Sequence, residues 1–372
     1  MAIISGGNGV RTQGTAKPII INGDCAVSQR TTSTTGVTST SWGAVDRIQL
    51  VNNTMGTYTV IQEALTSGAA YLAGFHNAWR IDCTTADSSP ASGDVLYPRY
   101  KIESQDLAPF RKGTSSAQKM TLAFWVKSNK TGNAQVNFYD IDNTRLCSGT
   151  YSISSADTWE HKIINIAADT TGAWADDNGE GLRIEWRLDS GSDSTSGATP
   201  TAWEAHNAAD RDVAGQLQIA RSTSNDWAIT GIQLEVGTFT SATLPPFQFE
   251  SFEENLHRCK RYYHSIADGS IQQYEYIATG HAQSGSSAHG VYRFDPQMRA
   301  TPSLVTTMGT NYMYSLRDNG EDFHDNFELY TSAQTSRAFS WKCDDNHSVT
   351  QGQAVTIATG NTAARIAADA EL

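Results

Sequence analysis

Charge and cysteine are both scarce in this 372-residue sequence: Asp, Glu, Lys and Arg make up 18% of it, and there are five cysteines. Cys25, Cys83, Cys147, Cys259 and Cys343 are odd in number and contain no CxxC pair. That spacing excludes a disulfide framework and a zinc site of the usual kind, and leaves small buried thiols of a protein made in a reducing cytoplasm. No apolar run approaches the ~20 residues of a membrane span, and the opening MAIISGGNGV lacks the charged-then-apolar order of a signal peptide. A soluble chain without membrane insertion is therefore expected. Basic residues are also short, 27 against 39 acidic, for a net charge of −12. Phosphate binding needs cationic surface, so a nucleic-acid partner is not expected. HExxH, HxH, GxSxG, the P-loop and a GxGxxG leading into a helix are all missing, which removes the sequence footing for transition-metal, nucleophilic or nucleotide-dependent catalysis. No fixed-period repeat is present, which argues against a solenoid or a β-helical shaft.

What remains is polar through Ser, Thr, Asn, Gln and Gly, with 9 Trp, 14 Tyr and 12 Phe to fill cores. Hydroxyl and amide side chains suit the wet side of strands, and Gly suits turns. From Val45 to about Val236 the chain reads as short strands between turns. Examples are Met120 to Lys127, Ala134 to Tyr139, Glu160 to Ile166, Leu182 to Leu188 and Ala228 to Val236. Many short strands without helical periods between them predict an all-β fold, an antiparallel sandwich or jelly roll over residues 46–244.

Residues 1–45 read differently: Gly, Ser and Thr surround one apolar run, and Arg11, Lys17 and Arg30 face only Asp24. A basic, extended docking arm is expected here, with Ile19, Ile20 and Ile21 packing on a partner. After Pro245–Pro246 a short connector helix is expected within 245–263. Ser251 is its N-cap and Glu254 completes the box, and Phe252, Leu256, Cys259 and Tyr263 form one apolar stripe. Residues 264–372 return to strand patterns, from Gln273 to Thr279 through Ala338 to Cys343 to Ala364 to Ala367. They predict a C-terminal β-sandwich tip.

Three stretches carry a resemblance. Ile21–Asn22–Gly23–Asp24 with Ser28–Gln29–Arg30 is the first. Gly231 to Gly237 (GIQLEVG), leading through Pro246–Phe247 to Phe252–Glu253–Glu254–Asn255–Leu256 and Cys259–Lys260–Arg261–Tyr262–Tyr263, is the second and most specific. The terminal Ala364–Arg365–Ile366–Ala367 with Asp369–Ala370–Glu371–Leu372 is the third. Together they resemble tailed-bacteriophage fibre-like and receptor-binding virion proteins, and MTLAFWVKSNKTG resembles an early strand and turn of a carbohydrate-binding jelly roll. The resemblance implies a non-enzymatic virion subunit, a homotrimer, that contacts other tail or capsid proteins and binds a host-surface glycan. A capsid decoration or head-fibre role is the alternative within virion proteins, and a glycan depolymerase the alternative from another class. The stripe Phe252, Leu256, Cys259 and Tyr263 would then be the trimer contact.

Candidate ligand residues follow from chemistry. Sugar rings stack on aromatic faces, so Trp174 and Trp203 in polar loops, and Tyr312, Tyr314, Tyr330 and Trp341 near the C-terminus, are candidates. The same side chains also serve as core fillers. Asp176, Asp177 and Glu180, on a Gly-containing turn, offer hard oxygen ligands for a structural calcium ion without EF-hand spacing. A hydrolase would need two carboxylates flanking a cleft, and Asp176, Asp177, Glu180 and Glu185 are the candidates near Trp174 and Trp186. The second acidic turn, Asp318 to Asp325, reads as a hairpin loop.

Overall fold

The computed structural model describes residues 3–5, 10–12, 17–269, 274–317, 320–344 and 349–372, with 3–5, 10–12 and 331–333 as backbone only. The fold is all-β, as expected. Its larger part is a sandwich of two antiparallel sheets. In one, Ile48–Asn53, Val95–Glu103, Glu180–Trp186, Gly132–Asp140 and Arg145–Ile153 lie side by side. In the other the order is Glu160–Ile166, Met120–Lys127, Asp226–Val236, Asn77–Thr85, Thr57–Ala64, Ser33–Val37. Apart from hairpins such as Thr57–Ala64 with Asn77–Thr85 and Gly132–Asp140 with Arg145–Ile153, connections cross from sheet to sheet, and late strands insert between early ones: Asp226–Val236 sits between Met120–Lys127 and Asn77–Thr85. That is the winding of a jelly roll.

Alternation explains the core. Val136 and Phe138 from one sheet, and Leu122 and Phe124 from the other, are fully buried in one cluster. Phe124 meets Tyr151 and Trp186 of the facing sheet edge-on, at 5.2 and 5.9 Å. Several strands here were not singled out from sequence, Val95–Glu103 among them, because Tyr97, Arg99 and Lys101 interrupt its apolar positions.

Residues 17–45 are not a free arm. Ile20, Cys25, Val37, Ala44 and Val45 lie in the sandwich core, and Ser33–Val37 extends the second sheet as its edge. Ile21 joins Val27, Cys259 and Tyr262 in a separate small cluster. The expectation that Ile20 and Ile21 wait for a partner is therefore corrected: an apolar run finds its burial inside the chain first. Ahead of it, Ile3–Ser5 pairs with Val10–Thr12 as a small antiparallel hairpin.

The C-terminal part closes a second core between a three-stranded sheet (Tyr263–Ala267, Arg365–Asp369, Ser303–Thr307) and a seven-stranded one. Trp341, Met313, Phe339 and Ile357 fill it. Gly290 has no room for a Cβ, which would stand 2.4 Å from the Trp341 ring. The expected start at Gln273 and the turn head Asp318–Asn319 fall outside the described residues.

The helix is Phe252–Lys260, and Ser251 caps it, its Oγ accepting from the Glu254 amide at 3.2 Å. The other half of the box does not form, because the Glu254 carboxylate pairs with Lys17. This helix brings the three resemblance stretches to one buried junction. Glu103, fully buried in the first sheet, accepts two hydrogen bonds from Arg261 (2.8 and 2.7 Å) and one from Tyr262 Oη at 2.6 Å. Arg47 pairs with Glu371 and lies 3.4 Å from the centre of the Tyr262 ring. Arg30 lies over Tyr263 at 3.7 Å and reaches Asp46, Asp369 and Glu371. Gln29 bridges Asp46 to the Tyr263 carbonyl, and Asn255 donates to Asp24. Arg299 donates to the carbonyls of Ala370 and Asn178 at 2.8 Å each. Three arginines (30, 47, 261) thus pair with four carboxylates (46, 103, 369, 371), and Arg299 binds main-chain carbonyls beside them. Burial pushes the carboxyls of Asp46 and Glu371 up, and the neighbouring guanidiniums act against it.

Glu103→Ala should therefore cost about 3–5 kcal/mol in urea unfolding followed by tryptophan fluorescence, because it leaves Arg261 and Tyr262 without their buried acceptor. A second expectation concerns pH. His264 is buried against Tyr292 and Phe294, and burial, followed by the Lys260 charge, lowers its pKa to about 4. The unfolded chain then binds the extra proton between pH ~6.5 and ~4, so this group's contribution is complete above that window and is lost as pH falls through it. Between pH 7 and 5 the wild type should lose about 2 kcal/mol more than His264→Phe, read from unfolding curves at the two pH values.

Candidate functional site

The outer face of the first sheet is where strand alternation places side chains that the core does not use. Register sets them in rows. Gln49 stands opposite Arg99, Arg99 opposite Glu185, Glu185 opposite Asn137 and Asn137 opposite Ser148, one polar row across five strands. The next row runs Lys101, Arg183, Tyr139 and Leu146. Neighbours this close interact directly.

Half of this face is covered by the loop after Asp189–Ser190, and its groups are paired there. Arg211 from that loop donates to both Glu185 oxygens at 2.5 and 2.6 Å, and Asn137 adds a third bond at 3.3 Å. Burial would raise the Glu185 carboxyl, but Arg211 and Arg187 outweigh it and bring it down to about 2. Arg187, fully buried, lies 4.2 Å from the Tyr97 ring centre and between Glu185 and Asp212. Asp212 is pushed up to about 6 by burial, against the pull of Arg187. A split pair of carboxyls is the signature of acid–base catalysis. Here, however, both are buried under the loop, with Glu185 bonded to Arg211 and Asn137 and Asp212 to Ser190, so neither faces a cleft.

The other half is open. Arg99, Arg183, Tyr139 and His206 are all partly exposed. Arg99 Nε donates to Gln49 Oε1 at 2.6 Å. Arg183 holds Glu180 through two bonds, at 2.6 and 3.1 Å, and its guanidinium lies 5.7 Å from the Tyr139 ring centre. Tyr139 and His206 pack at 4.7 Å, and His206 Nε2 is buried without a partner. Burial and Arg211 lower the His206 pKa. Lys101, paired with Glu180, is lowered to about 8 by burial. The strip thus offers guanidinium, amide and aromatic groups on a rigid sheet, the mix that small polar ligands need.

The opposite sheet carries an aromatic groove of about 350 Å³, walled by Phe75, Trp125, His161, Phe247 and Phe249. Trp125 and His161 stack at 4.9 Å. A β-bulge at Gly231 opens it: the residue has φ +62°, and a Cβ there would meet Phe75 and Trp125 at 2.7 and 2.9 Å.

The sequence candidates fall elsewhere. Trp203 is 9% exposed, with Nε1 bonded to the Ala167 carbonyl, and Trp174 packs against Phe110. Both rings flank a buried ammonium, Lys112 Nζ, at 5.4 and 5.6 Å. That ammonium sits among four oxygens: Asp140 at 2.6 Å, Asp169 at 3.1 Å and the carbonyls of Thr171 and Gly172 at 2.9 and 2.6 Å. The polar loops around the two tryptophans thus enclose an internal cation, and the pair is corrected from ligand platform to cage wall. Trp341 and Tyr314 are buried core residues, Tyr312 is half-buried, and Tyr330 alone of the six stays exposed, against His289 at 4.0 Å.

Two of the three calcium candidates, Asp177 and Glu180, have partners within the chain. Glu180 is taken by Arg183 and Lys101, Asp177 accepts from the Gly179 amide, and no three metal-ligating side chains meet among the described residues. Of the trimer stripe, Cys259 is buried, Leu256 is half-buried against the Ile21 cluster, and Tyr263 lies under Arg30; Phe252 remains 59% exposed. Of the docking residues, Lys17 pairs with Glu254, Ile19 packs on the core and Arg30 belongs to the junction. The Arg11 side chain lies outside the described residues. The residues that sequence reasoning missed were visible as Y-x-R-x-K (97–101), Q-x-N-x-Y (135–139) and R-x-E-x-R (183–187), the polar partners of the alternating core positions.

No protein-family model and no curated protein matches this chain. Among solved structures it is similar to a bacteriophage CBA120 tailspike protein 4 enzymatically active domain, at 12% identity and a TM-score of 0.28, over 59% of this chain and 21% of that one. TmCBM61 in complex with beta-1,4-galactotriose matches at 7% identity and a TM-score of 0.28, over 59% and 99% of the two chains. A family 11 carbohydrate-binding module from Clostridium thermocellum matches at 8% identity and a TM-score of 0.26, over 56% and 99%. Superpositions this loose carry no argument for the ligand, which is read from the site itself.

Lys112→Ala should cost about 3–5 kcal/mol, because it leaves Asp140 and Asp169 buried without their cation. The emptied cage keeps two carboxylates and two carbonyls, so millimolar calcium should restore part of the lost melting temperature in the variant and not in the wild type.

Proposed function

We propose that this chain is a glycan-binding, fibre-type structural subunit of a tailed bacteriophage virion, acting without covalent chemistry. The observation that carries the binding reading is the open half of the polar face. There Arg99, oriented by the buried Gln49, and Arg183 present guanidinium groups beside Tyr139 and His206 on a sheet whose other side is core. Sugar hydroxyls need fixed donors and acceptors, and a sugar ring needs an aromatic surface to lie on. The virion part rests on the sequence resemblance of the three junction stretches, and the homotrimer belongs with it; Phe252 is the member of the stripe free to serve such a contact. Non-catalytic action is supported by Glu185 and Asp212, both buried under a loop and bonded to Arg211 and Ser190.

Binding of host-surface polysaccharide to the purified protein tests this by affinity electrophoresis and calorimetry. Tyr139→Ala should weaken it about tenfold, or ~1.4 kcal/mol, while Trp125→Ala in the groove of the opposite sheet leaves it unchanged. Loss with Trp125→Ala alone would move the site to that groove, and release of reducing ends would overturn the non-enzymatic reading.

A further inference from the structure

Positive charge on the polar face is neutralised almost everywhere. Arg183 is held by Glu180, Arg211 by Glu185, Lys101 by Glu180, and Arg187 lies between Glu185 and Asp212. Arg99 differs. Its Nε is fixed by Gln49, no described carboxylate pairs with it, and its terminal nitrogens make no hydrogen bond within the described chain. Glu185 stands opposite it in register, but the Glu185 carboxylate is turned to Arg211 and Asn137. Burial first, and Arg183 next, lower the Arg99 pKa, and the more distant Tyr97, Glu180 and Glu185 only partly offset them.

A partly exposed guanidinium, oriented by an amide and left without an acid on a chain of net charge −12, is a recognition element. Its planar fork matches carboxylate or phosphate through two parallel bonds. Tyr139 stands two strands away, about 10 Å across the sheet, and one row further along, so a chain of sugars lying obliquely over the two rows spans both. We infer that the glycan taken by this face is anionic, with a carboxylate or phosphate group seated on the Arg99 fork and a neighbouring sugar ring against Tyr139. This rests on the glycan-binding reading above and names its ligand class.

Calorimetry on the intact protein with polygalacturonate, poly(glycerol phosphate) and neutral galactan tests it. Binding is expected to one of the two anionic polymers, and which of them binds tells carboxylate from phosphate. It should weaken about tenfold in Arg99→Gln and less in Arg99→Lys, which keeps the charge and loses the fork. Raising sodium chloride from about 50 to about 300 mM should weaken it severalfold. The melting temperature of Arg99→Gln should stay near that of the wild type, because only the Gln49 bond is lost. Neutral galactan bound as well as the anionic polymers, or an Arg99→Gln variant that binds normally, would overturn the anionic assignment and leave glycan binding standing. No binding to either anionic polymer would also overturn it, and failure with all three and with host polysaccharide would remove the glycan reading too.

Discussion

The rest of the molecule is held in place by one buried exchange of charge. Glu103, rooted in the first sheet, takes Arg261 and Tyr262 from the end of the helix, while Arg47 reaches the other way to Glu371. Ionised groups this deep are costly to bury, and they are tolerated because each carries several hydrogen bonds or a ring face. The geometry is demanding, and that demand fixes how the C-terminal sandwich meets the jelly roll. The Arg–Tyr–Tyr run at 261–263 has no slack: each of the three side chains has its own partner in the larger part.

This junction accounts for the three stretches that carried the family resemblance. They are far apart in sequence and meet in one place, with Asn22, Gln29 and Arg30 on one side, the helix in the middle, and Asp369 to Glu371 on the other. Their residue types are dictated by assembly within the chain, which leaves recognition to other surfaces. The polar sheet face takes no part in that junction; the loop after Asp189–Ser190 covers half of it and leaves the Arg99 end open.

Burial decided the fate of most candidate residues. Trp174 and Trp203 sit in polar loops because those loops close over Lys112, and a polar neighbourhood in sequence looks the same whether it meets solvent or an internal ammonium. Ile20 and Ile21 looked like an apolar element awaiting a partner, and the chain supplies that partner itself. The acidic turn follows the same rule: Glu180 is taken by Arg183 and Lys101, and Asp177 by the Gly179 amide.

By itself the sequence determined the all-β class, strands such as Met120–Lys127 and Ala338–Cys343, and the helix with its Ser251 cap, since these depend on periods of two or 3.6 and on local capping chemistry. It also held the polar positions 97, 99, 101, 135, 137, 139, 183 and 185, one strand at a time. Which of them stand side by side was decided only by tertiary structure. A strand's own alternation says which side chains face the core, but its register against a strand distant in sequence is fixed only when the apolar faces pack together, so the row from Gln49 to Ser148 exists only once the sandwich has closed.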